Sequence, residues 1–485
     1  MPNLPVMDSV GDTLIRNAEI VDGTGGPARR ADVAVRDARI VAIGDLHDWR
    51  AAEIVDAGGR VLSPGFIDVH THDDIYVVRT PDVWPKLSQG VTTVIVGNCG
   101  ISAAPVRLRD ELPDPMNLLG RAEDFQYPTF ASYREAVERA SPSVNVAAFV
   151  GHTALRSNHM TAFDRVATSD EIAAMRSELV VSLHEGALGL STGLAYANAF
   201  LATDSEVMAL AEPLRAAGAL YATHVRNEFA GIIPAMDEAV RIARHACVPV
   251  AISHLKCAGR ENWGRSVEVL AMLDAARATH AVGWDCYPYT AGSSTLDLGQ
   301  VTDTIEITIT WSDPHPEVAG RSLAAIASDW STSLDDAARR LKPAGAIYHS
   351  MSEADMTRIL RHSATAIGSD GLPNDPRPHP RLWGAFPRVL GRYSRDEKLF
   401  PLTEAVHKMT GLSARRFGLA ERGEIRVGNW ADLVLFDAEA IRDVATYDDP
   451  KRAAVGISAV WVNGVCSSRN QVPTGSRAGR FLARA

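Results

Sequence analysis

The stretch GFIDVHTH, residues 65–72, marks a change of pattern in this 485-residue chain. From this point onward, short apolar runs are each closed by polar residues and followed by a longer helical stretch. Repetition of that unit predicts parallel strands joined by helices. The strand candidates after FIDVHTH (66–72) are TTVIVGNC (92–99), NVAAFVGH (145–152), GALGLSTG (186–193), LYATHVR (220–226), PVAISHLK (249–256), VGWDCYPY (282–289) and TAIGSDG (365–371).

Eight such strands with helical crossovers predict an α/β fold, a (β/α)8 TIM-type barrel over residues 64–417. Helical patterns lie between several of the strands, including SDEIAAMRSELVVSLHE with Ser169 as its N-cap, and IIPAMDEAVRIARHA (232–246). The interval 291–344, between strands seven and eight, is longer than an ordinary βα connection. We therefore expect an inserted lid or subdomain there.

Both ends of the chain have a different pattern, in which apolar and polar residues alternate between glycine-rich turns. Residues 14–46 and 424–466 show this period of two, which is typical of half-buried antiparallel strands. The simplest arrangement brings the two ends together. We predict a small β-sandwich domain built from residues 1–63 and 418–485.

Composition excludes several classes of protein. Hydrophobic residues make up 46% and charged residues 22%, which is typical of a globular chain. A formal net charge of −10 gives no general electrostatic reason to bind nucleic acid or an anionic membrane. Asp8 and Asp12 interrupt the opening segment where a secretory signal needs apolar residues, and the five cysteines form no framework. We expect a cytoplasmic protein, and its oligomeric state stays open.

Metal-ligand residue types recur where the predicted strands end. They are His70 and His72 on the first strand, Cys99 on the second, His224 on the fifth, His254 on the sixth and Asp370 on the eighth. The carboxyl ends of barrel strands meet at one mouth, and two histidines at i and i+2 share one face of a strand. Imidazole and thiolate ligands favour zinc. The sequence therefore predicts a zinc site at that mouth.

Several motifs carry a resemblance to a known family. VLSPGFIDVHTHDD (61–74), IGSDGLPNDPRPHPRLWG (367–384), EAVHKMTGLSARRFGL (404–419) and GNWADLVLFD (428–437) resemble the amidohydrolase superfamily. The order GVTTVIVGNCG (90–100), SHLKCAG (253–259), DCYPYTAGSST (285–295) and GSDGLPND (368–375) is more specific. It is similar to the N-acyl-D-amino-acid deacylases, or D-aminoacylases, over nearly the whole chain.

This resemblance implies zinc-dependent hydrolysis of an N-acyl-D-amino acid to a carboxylate and a free D-amino acid. It implies that Cys99, His224 and His254 hold one zinc ion tightly, and that His70, His72 and Asp370 form a weaker second position, with Cys99 between the two. It further implies that Asp370 activates the water and passes its proton to the leaving amine. Lys256, Tyr287 and Arg381 match groups that hold the substrate α-carboxylate, and Tyr196 and His152 fall near the mouth.

The residue chemistry agrees with this hypothesis. Amide hydrolysis needs an activated water, a polarised carbonyl and a proton for the leaving nitrogen, which a metal and a carboxylate together provide. A cationic pair such as Lys256 and Arg381 suits a free carboxylate. Lys256, two residues after His254, is expected on the same face of that strand.

Two other functions stay open at this stage. A cyclic-amide hydrolase of the dihydropyrimidinase kind would need a carboxylated lysine on the fourth strand, yet GALGLSTGLAY (186–196) has none. A metal-free relative would have lost ligands, and all six candidates are present.

The segment AGSSTLDLGQVTDT (291–304) bears on which substrate side chains are preferred. It contains Asp297 and Asp303 but neither Lys nor Arg. A second substrate carboxylate would need its own cation. Leu296, Leu298 and Val301 are expected to line an apolar pocket. We therefore predict apolar D side chains, with N-acyl-D-glutamate or N-acyl-D-aspartate as the alternative substrates.

Overall fold

The computed structural model describes residues 10–108 and 112–484; Asp8, used above, lies outside them. The strands are β1 Val10–Ile20, β2 Arg29–Arg36, β3 Arg39–Gly44, β4 Arg50–Asp56, β5 Val61–Pro64, β6 Phe66–Asp68, β7 Val91–Val96, β8 Asn145–Ala148, β9 Val150–Gly151, β10 Gly189–Gly193, β11 Leu220–His224, β12 Val250–Ile252, β13 Val282–Cys286, β14 Gly292–Thr295, β15 Ile307–Ser312, β16 Ala344–Tyr348, β17 Thr365–Ile367, β18 Leu433–Phe436, β19 Ile457–Val462, β20 Val465–Arg469 and β21 Val472–Pro473.

The helices are α1 Tyr76–Arg79, α2 Trp84–Leu87, α3 Phe130–Ala140, α4 His152–His159, α5 Ser169–His184, α6 Ala197–Phe200, α7 Asp204–Ala216, α8 Ile232–Ala246, α9 Ser266–Arg277, α10 Leu323–Asp329, α11 Leu334–Leu341, α12 Glu353–Arg361, α13 Arg381–Arg388, α14 Leu402–Met409 and α15 Gly411–Phe417. Within the described ranges, no helix is both long enough and apolar enough to cross a bilayer.

The predicted barrel is confirmed. Parallel pairing runs β6, β7 and β8, and then β9, β10, β11, β12, β13 and β17, with β8 and β9 forming the two halves of strand three. The eighth strand meets the first through a parallel bridge between Thr71 and Gly371. Asp370 donates its backbone N–H to His70 O at 2.7 Å, and His72 donates to Gly371 O at 3.0 Å. The segments that carry the predicted ligands thus also close the barrel.

The barrel strands are shorter than the predicted segments. β6 ends at Asp68, β12 at Ile252 and β17 at Ile367, so His70, His254 and Lys256 follow the strands rather than lie within them. The expectation that Lys256 shares a strand face with His254 is therefore wrong. The reason is local, because His254 has φ 36°, a left-handed backbone that breaks the alternation of an extended strand.

The two chain ends form one nine-stranded network, as predicted. β5 pairs in parallel with the end of β1 and antiparallel with β18, which joins the amino-terminal strands to the carboxyl-terminal ones. The apolar faces of these strands enclose their own core, which includes Ile15, Val33, Leu433 and Trp461. Alternate residues supply that core, as the period of two predicts.

The carboxyl-terminal residues depart from the predicted small domain. The sheet ends with β21, and the chain then returns to the barrel, where Phe481 bridges Val146 of β8 and packs its ring edge-on against Phe130. Leu482 donates to Val146 O at 2.7 Å. The predicted unit 418–485 therefore includes a terminal segment that belongs to the barrel by packing.

The insertion between strands seven and eight is a small subdomain. Strands β14 and β15 pair antiparallel with β16, and α10 and α11 pack over this sheet around a separate core. Since β16 runs to Tyr348, the sheet extends beyond the predicted boundary at Ala344.

The predicted helix after strand three begins one residue earlier than expected. Thr168, rather than Ser169, is the N-cap, and its side chain accepts from Glu171 N. The Glu171 side chain in turn accepts from Thr168 N, which completes a capping box.

Candidate metal centre and active site

Six predicted side chains lie together at the barrel mouth. Cys99 Sγ is 3.2 Å from His70 Nε2 and 3.3 Å from His254 Nε2. The carboxylate of Asp370 lies 3.5 Å from His70 Nε2 and 3.2 Å from His72 Nε2. The rings of His224 and His254 meet edge to face at 4.5 Å. Cys99 therefore lies between the two groups of histidines.

The backbone bends at three of these residues. Cys99, His254 and Asp370 have φ of 54°, 36° and 50°, a left-handed conformation that is uncommon for residues with a Cβ. Strain of this kind persists where the surrounding structure fixes it, and functional sites are where it accumulates. Gly100 also has a positive φ, and a Cβ there would lie 2.6 Å from Gly193 N. The glycine lets the turn that carries Cys99 approach strand four.

Two carboxylates that sequence reasoning did not assign support the cluster. Asp285 contacts His70 Nδ1 at 3.3 Å and accepts the backbone N–H of His254 at 3.0 Å. Glu228 contacts His254 Nδ1 at 3.0 Å and accepts from Lys256 Nζ at 2.5 Å. Both carboxylates leave the Nε2 atoms of His70 and His254 facing Cys99. Two features of the sequence could have identified these carboxylates: Asp285 begins the motif DCYPY, and Glu228 lies four residues after His224.

Electrostatics favour the ionised thiol and carboxylates. Burial alone would raise the pKa of Cys99, but His70 and His254 outweigh it and hold that pKa well below its ordinary value. Burial also opposes ionisation of Asp370, yet Arg381 and the neighbouring histidines keep its pKa well below the usual range. Both groups are therefore charged at neutral pH, as ligands and bases require.

Arg381 connects Asp370 with the groups beside it. Its Nη1 lies 2.9 Å from Asp370 Oδ2, and its Nη2 donates to Ser293 O at 3.1 Å. The guanidinium is 4.5 Å from the centroid of the Tyr287 ring. Burial raises the pKa of Tyr287 to about 12, and the hydroxyl is buried with no hydrogen-bond partner in the described chain. Tyr287 thus keeps a free donor beside the cluster.

A cavity of about 910 Å³ opens above these residues. Its floor includes His72, His224, His254 and Asp370, and its wall includes Lys256, Tyr287 and Tyr196. The insertion supplies another part of the wall, through residues 292–295, 297, 299, 300, 342 and 348. Among the described residues, Arg381 does not line the cavity but lies behind Asp370 and Tyr287.

Tyr196 closes the mouth on the side of strand four. Its ring lies 4.9 Å from that of His224, and its hydroxyl interacts with Ser294 of the insertion. Burial, followed by the charge of Cys99, raises the pKa of Tyr196 well above its ordinary value. The tyrosine is therefore neutral and can donate a hydrogen bond.

The structure corrects the expectation for His152. This residue begins α4, is fully buried, and its Nε2 lies 2.8 Å from Glu206 Oε1. Arg156 Nη1 donates to the same oxygen at 2.6 Å. His152 is absent from the described wall of the cavity because its side chain is part of this ion-paired cluster between α4 and α7.

The expected apolar pocket of the insertion is also wrong. Leu296 is fully buried in the core of the insertion, and Leu298 and Val301 pack against that same core. None of the three is among the described residues that line the cavity. The small antiparallel sheet needs its own apolar interior, so these side chains point into it.

The donor set fits zinc. His70, Cys99, His254 and Asp370 offer four ligand atoms within 4.8 Å of one another, and His224, Glu228 and His254 form a second, overlapping group. One thiolate with imidazoles is a zinc-type set, and second-sphere carboxylates on the far ring nitrogens are typical of such sites. Strand four, β10, carries no lysine, and Cys99 occupies the position between the two groups.

Comparison with known proteins agrees with this geometry. The sequence profile described as "Amidohydrolase family" matches residues 53–467. The chain belongs to the amidohydrolase family. The resemblance inferred from the motifs is thus confirmed.

Individual amidohydrolases match over nearly their whole length. The D-aminoacylase of Alcaligenes xylosoxydans xylosoxydans is 49% identical over 473 residues, covering 98% of both chains. A solved D-aminoacylase, described as having a binuclear metal centre with one-metal activation and second-metal attenuation, gives a TM-score of 0.96 at 48% identity, covering 98% of this chain and 100% of that one.

A second solved structure shows that this fold serves another substrate class. The N-acyl-D-glutamate deacylase of Bordetella bronchiseptica, complexed with zinc and a phosphonate inhibitor, gives a TM-score of 0.95 at 46% identity, covering 98% and 99% of the two chains. This amidohydrolase is therefore a homologue of metal-dependent N-acyl-D-amino-acid deacylases. Similarity alone does not separate their side-chain preferences, since the identities differ little.

Proposed function

We propose that this protein is a zinc-dependent N-acyl-D-amino-acid deacylase that prefers uncharged, apolar side chains. The observation that carries the proposal is the position of Lys256 and Tyr287 in the cavity wall beside the cluster of Cys99, His254 and Asp370. A free carboxylate and an amide on one small molecule match a cation and a metal site in one cavity. The stereochemical preference rests on the similarity to D-aminoacylases.

Zinc is the metal that the donor set favours, with Cys99, His224 and His254 holding one ion tightly and His70, His72 and Asp370 forming a weaker second position. Bound zinc would supply Lewis-acid activation of the amide carbonyl and of water. Asp370 is ionised and accepts a proton from water. Its protonated form can then deliver that proton to the leaving amine.

Lys256 and Tyr287 receive the substrate α-carboxylate. The Lys256 ammonium is paired with Glu228 and also lies 2.8 Å from His254 Nδ1 and 3.3 Å from His254 O, so a substrate carboxylate would take over one of the contacts to His254. Tyr287 offers its unpartnered hydroxyl. Arg381, behind both Asp370 and Tyr287, adds positive charge to this end of the site without lining the cavity.

The charges in the wall favour uncharged side chains over acidic ones. In the described part of the chain, the Lys and Arg residues that line the cavity are Arg226, Lys256 and Lys342. Arg226 is bound by Glu238 at 2.6 Å, and Lys256 by Glu228.

The third cation, Lys342, stands among carboxylates. Asp114 also lines the cavity and is close enough to Lys342 and Asp297 for both charges to act on its pKa. Burial raises the pKa of Asp114, and Lys342 lowers it. A second substrate carboxylate would thus meet one lysine between two acidic residues. Such a carboxylate is costly to desolvate without a cation of its own.

The test is a panel of N-acetyl-D- and N-acetyl-L-amino acids, assayed for release of free amino acid with and without added zinc. We expect kcat/KM for N-acetyl-D-leucine to exceed the values for its L-enantiomer and for N-acetyl-D-glutamate, because selectivity is the ratio of these constants. The alternative is a preference for acidic side chains. It would be established by a D-leucine to D-glutamate ratio of kcat/KM below one that rises above one in the Lys342→Gln variant. Absence of release from every N-acyl-amino acid by the zinc-loaded enzyme would refute the deacylase proposal.

A further inference from the structure

The cavity has two chemically different ends, and the end far from Lys256 contains an apolar wall beside Asp114 and Asp164. The residues that form it are Leu118, Phe163, Ala195, Ala197, Phe200 and Leu201. Phe200 and Leu201 stand at its rim with 52% and 42% of their surface exposed. Aromatic and aliphatic side chains that line a cavity are typical of a surface that binds an apolar part of a ligand.

Barrel order places this apolar end opposite the proposed carboxylate end. Phe200 and Leu201 follow strand four, Phe163 follows strand three and Leu118 follows strand two. Lys256, Tyr287 and Arg381 follow strands six, seven and eight. Strands four and eight lie across the barrel from each other, and the cluster lies between the two ends.

A substrate amide at the cluster, with its α-carboxylate at Lys256, must therefore direct its acyl group towards the apolar end. The cavity, at about 910 Å³, is at the upper limit of those that hold drug-sized ligands. An acetyl group would leave most of that apolar surface in water.

The apolar wall is held in place. Arg226 donates to the carbonyl oxygens of Phe200 and, at 2.9 Å, Ala202. Glu238 binds the same guanidinium through both carboxylate oxygens. The backbone around Phe200 thus has a fixed position, and the surface is preformed rather than assembled on binding.

The charges beside the wall exclude an acyl group that ends in a carboxylate. Asp114 and Asp164 both line this end of the cavity. An uncharged chain meets no such repulsion. We propose that this end is an acyl-chain subsite, and that the enzyme acts on D-amino acids carrying medium-length, uncharged aliphatic or aromatic acyl groups in preference to acetyl.

This inference rests on the proposed deacylase function, and one experiment separates the two. We would measure kcat/KM for N-acetyl-, N-butanoyl- and N-octanoyl-D-leucine with zinc-loaded enzyme. Each methylene buried in an apolar site is worth about a three- to fourfold change. We expect the octanoyl substrate to exceed the acetyl substrate at least tenfold.

Variants locate the effect. In Phe200→Ser and in Leu201→Ser, the octanoyl to acetyl ratio of kcat/KM should fall at least fivefold. The matched control is Val181→Ser, an equally exposed aliphatic side chain on α5 outside the cavity wall, where the ratio should stay within twofold of wild type. Because the ratio is taken within one enzyme, partial loss of folded protein does not alter it.

The outcomes are distinct. Release of D-leucine from the acetyl substrate with no gain from a longer chain overturns the acyl subsite and leaves the deacylase standing. A gain that Phe200→Ser and Leu201→Ser both leave intact also overturns the subsite. Release from none of the three substrates refutes the deacylase function itself.

Discussion

Asp370 is held by both a cation and the histidines at the barrel mouth. Its Oδ2 pairs with Arg381 Nη1, while its Oδ1 faces His70 and His72. The arginine fixes the orientation of the carboxylate and keeps it ionised, which leaves one oxygen for water or metal. This is the geometry that a proton-transfer group needs.

The Asp370→Asn variant should retain tightly bound zinc. Its kcat should fall by a factor on the order of 10² to 10⁴, which is the usual contribution of general acid–base catalysis. Steady-state kinetics with metal analysis by mass spectrometry checks this. The loss of charge also leaves Arg381 buried beside a neutral group, so thermal unfolding should be measured in parallel. An unchanged kcat with zinc bound would show that another group moves the proton.

Cys99 lies between the two groups of candidate ligands, so its removal should affect metal binding by both. Cys99→Ala should abolish tight zinc binding and activity together, because two imidazoles alone leave the three-ligand set incomplete. Cys466→Ala, in the chain-end sheet, is the control and should retain both. A zinc-free, fully active Cys99→Ala enzyme would overturn this assignment.

Among the elements, the insertion meets the barrel at a buried carboxyl group. Asp375, in the loop after β17, is 3% exposed and interacts with Thr310 and Trp311 of β15. Burial raises its pKa from 3.8 to about 7. Between about pH 4 and pH 7 the Asp375 carboxyl group is therefore ionised in the unfolded chain but still protonated in the folded protein. Its contribution to the free energy of unfolding falls as pH rises through that window.

Asp375→Asn removes this titration. Relative to wild type, the free energy of unfolding of the variant should increase between pH 5 and pH 8, by on the order of 1–3 kcal/mol. Urea unfolding at both pH values measures it. Asp303→Asn, at an exposed position of the same insertion, is the matched control. A constant difference for Asp375→Asn would mean that the carboxyl group is ionised in the folded protein.

At the scale of the whole molecule, one buried network joins the chain-end sheet to the barrel. Asp432 pairs with Arg422, accepts from Asn463 N at 2.7 Å, and accepts from Asn145 Nδ2 at 3.2 Å. Asn145 begins β8, at the end of the barrel away from the metal-ligand cluster. The network therefore bears on assembly rather than on catalysis.

Asp432→Ala should lower the free energy of unfolding by about 3–5 kcal/mol, since it leaves the buried Arg422 charge without its anionic partner. Thermal and urea unfolding measure the loss. At 25 °C, kcat/KM of the folded enzyme should stay close to wild type. The exposed Asp448→Ala is the control and should change neither quantity. A stability equal to wild type would show that water satisfies Arg422.

The sequence by itself determined the barrel and the cluster of candidate metal ligands at its mouth. Short apolar runs with polar ends predict buried parallel strands, and the rule that their carboxyl ends share one mouth brings His70, Cys99, His254 and Asp370 together across 300 residues of sequence. Alternation of apolar and polar residues, with a period of two, predicted the sheet formed by the two chain ends. These inferences succeed because each depends on local pattern and on one general property of the fold.

The tertiary structure alone decided which side chains pair. Local periodicity assigns a residue to a face of its element, but it does not identify the partner on a distant element. It therefore missed Glu228 between Lys256 and His254. The family resemblance likewise placed His152 near the mouth, although its side chain pairs with Glu206 between α4 and α7. Periodicity also did not reveal the left-handed backbone at His254, or the separate core of the insertion that takes up Leu296, Leu298 and Val301.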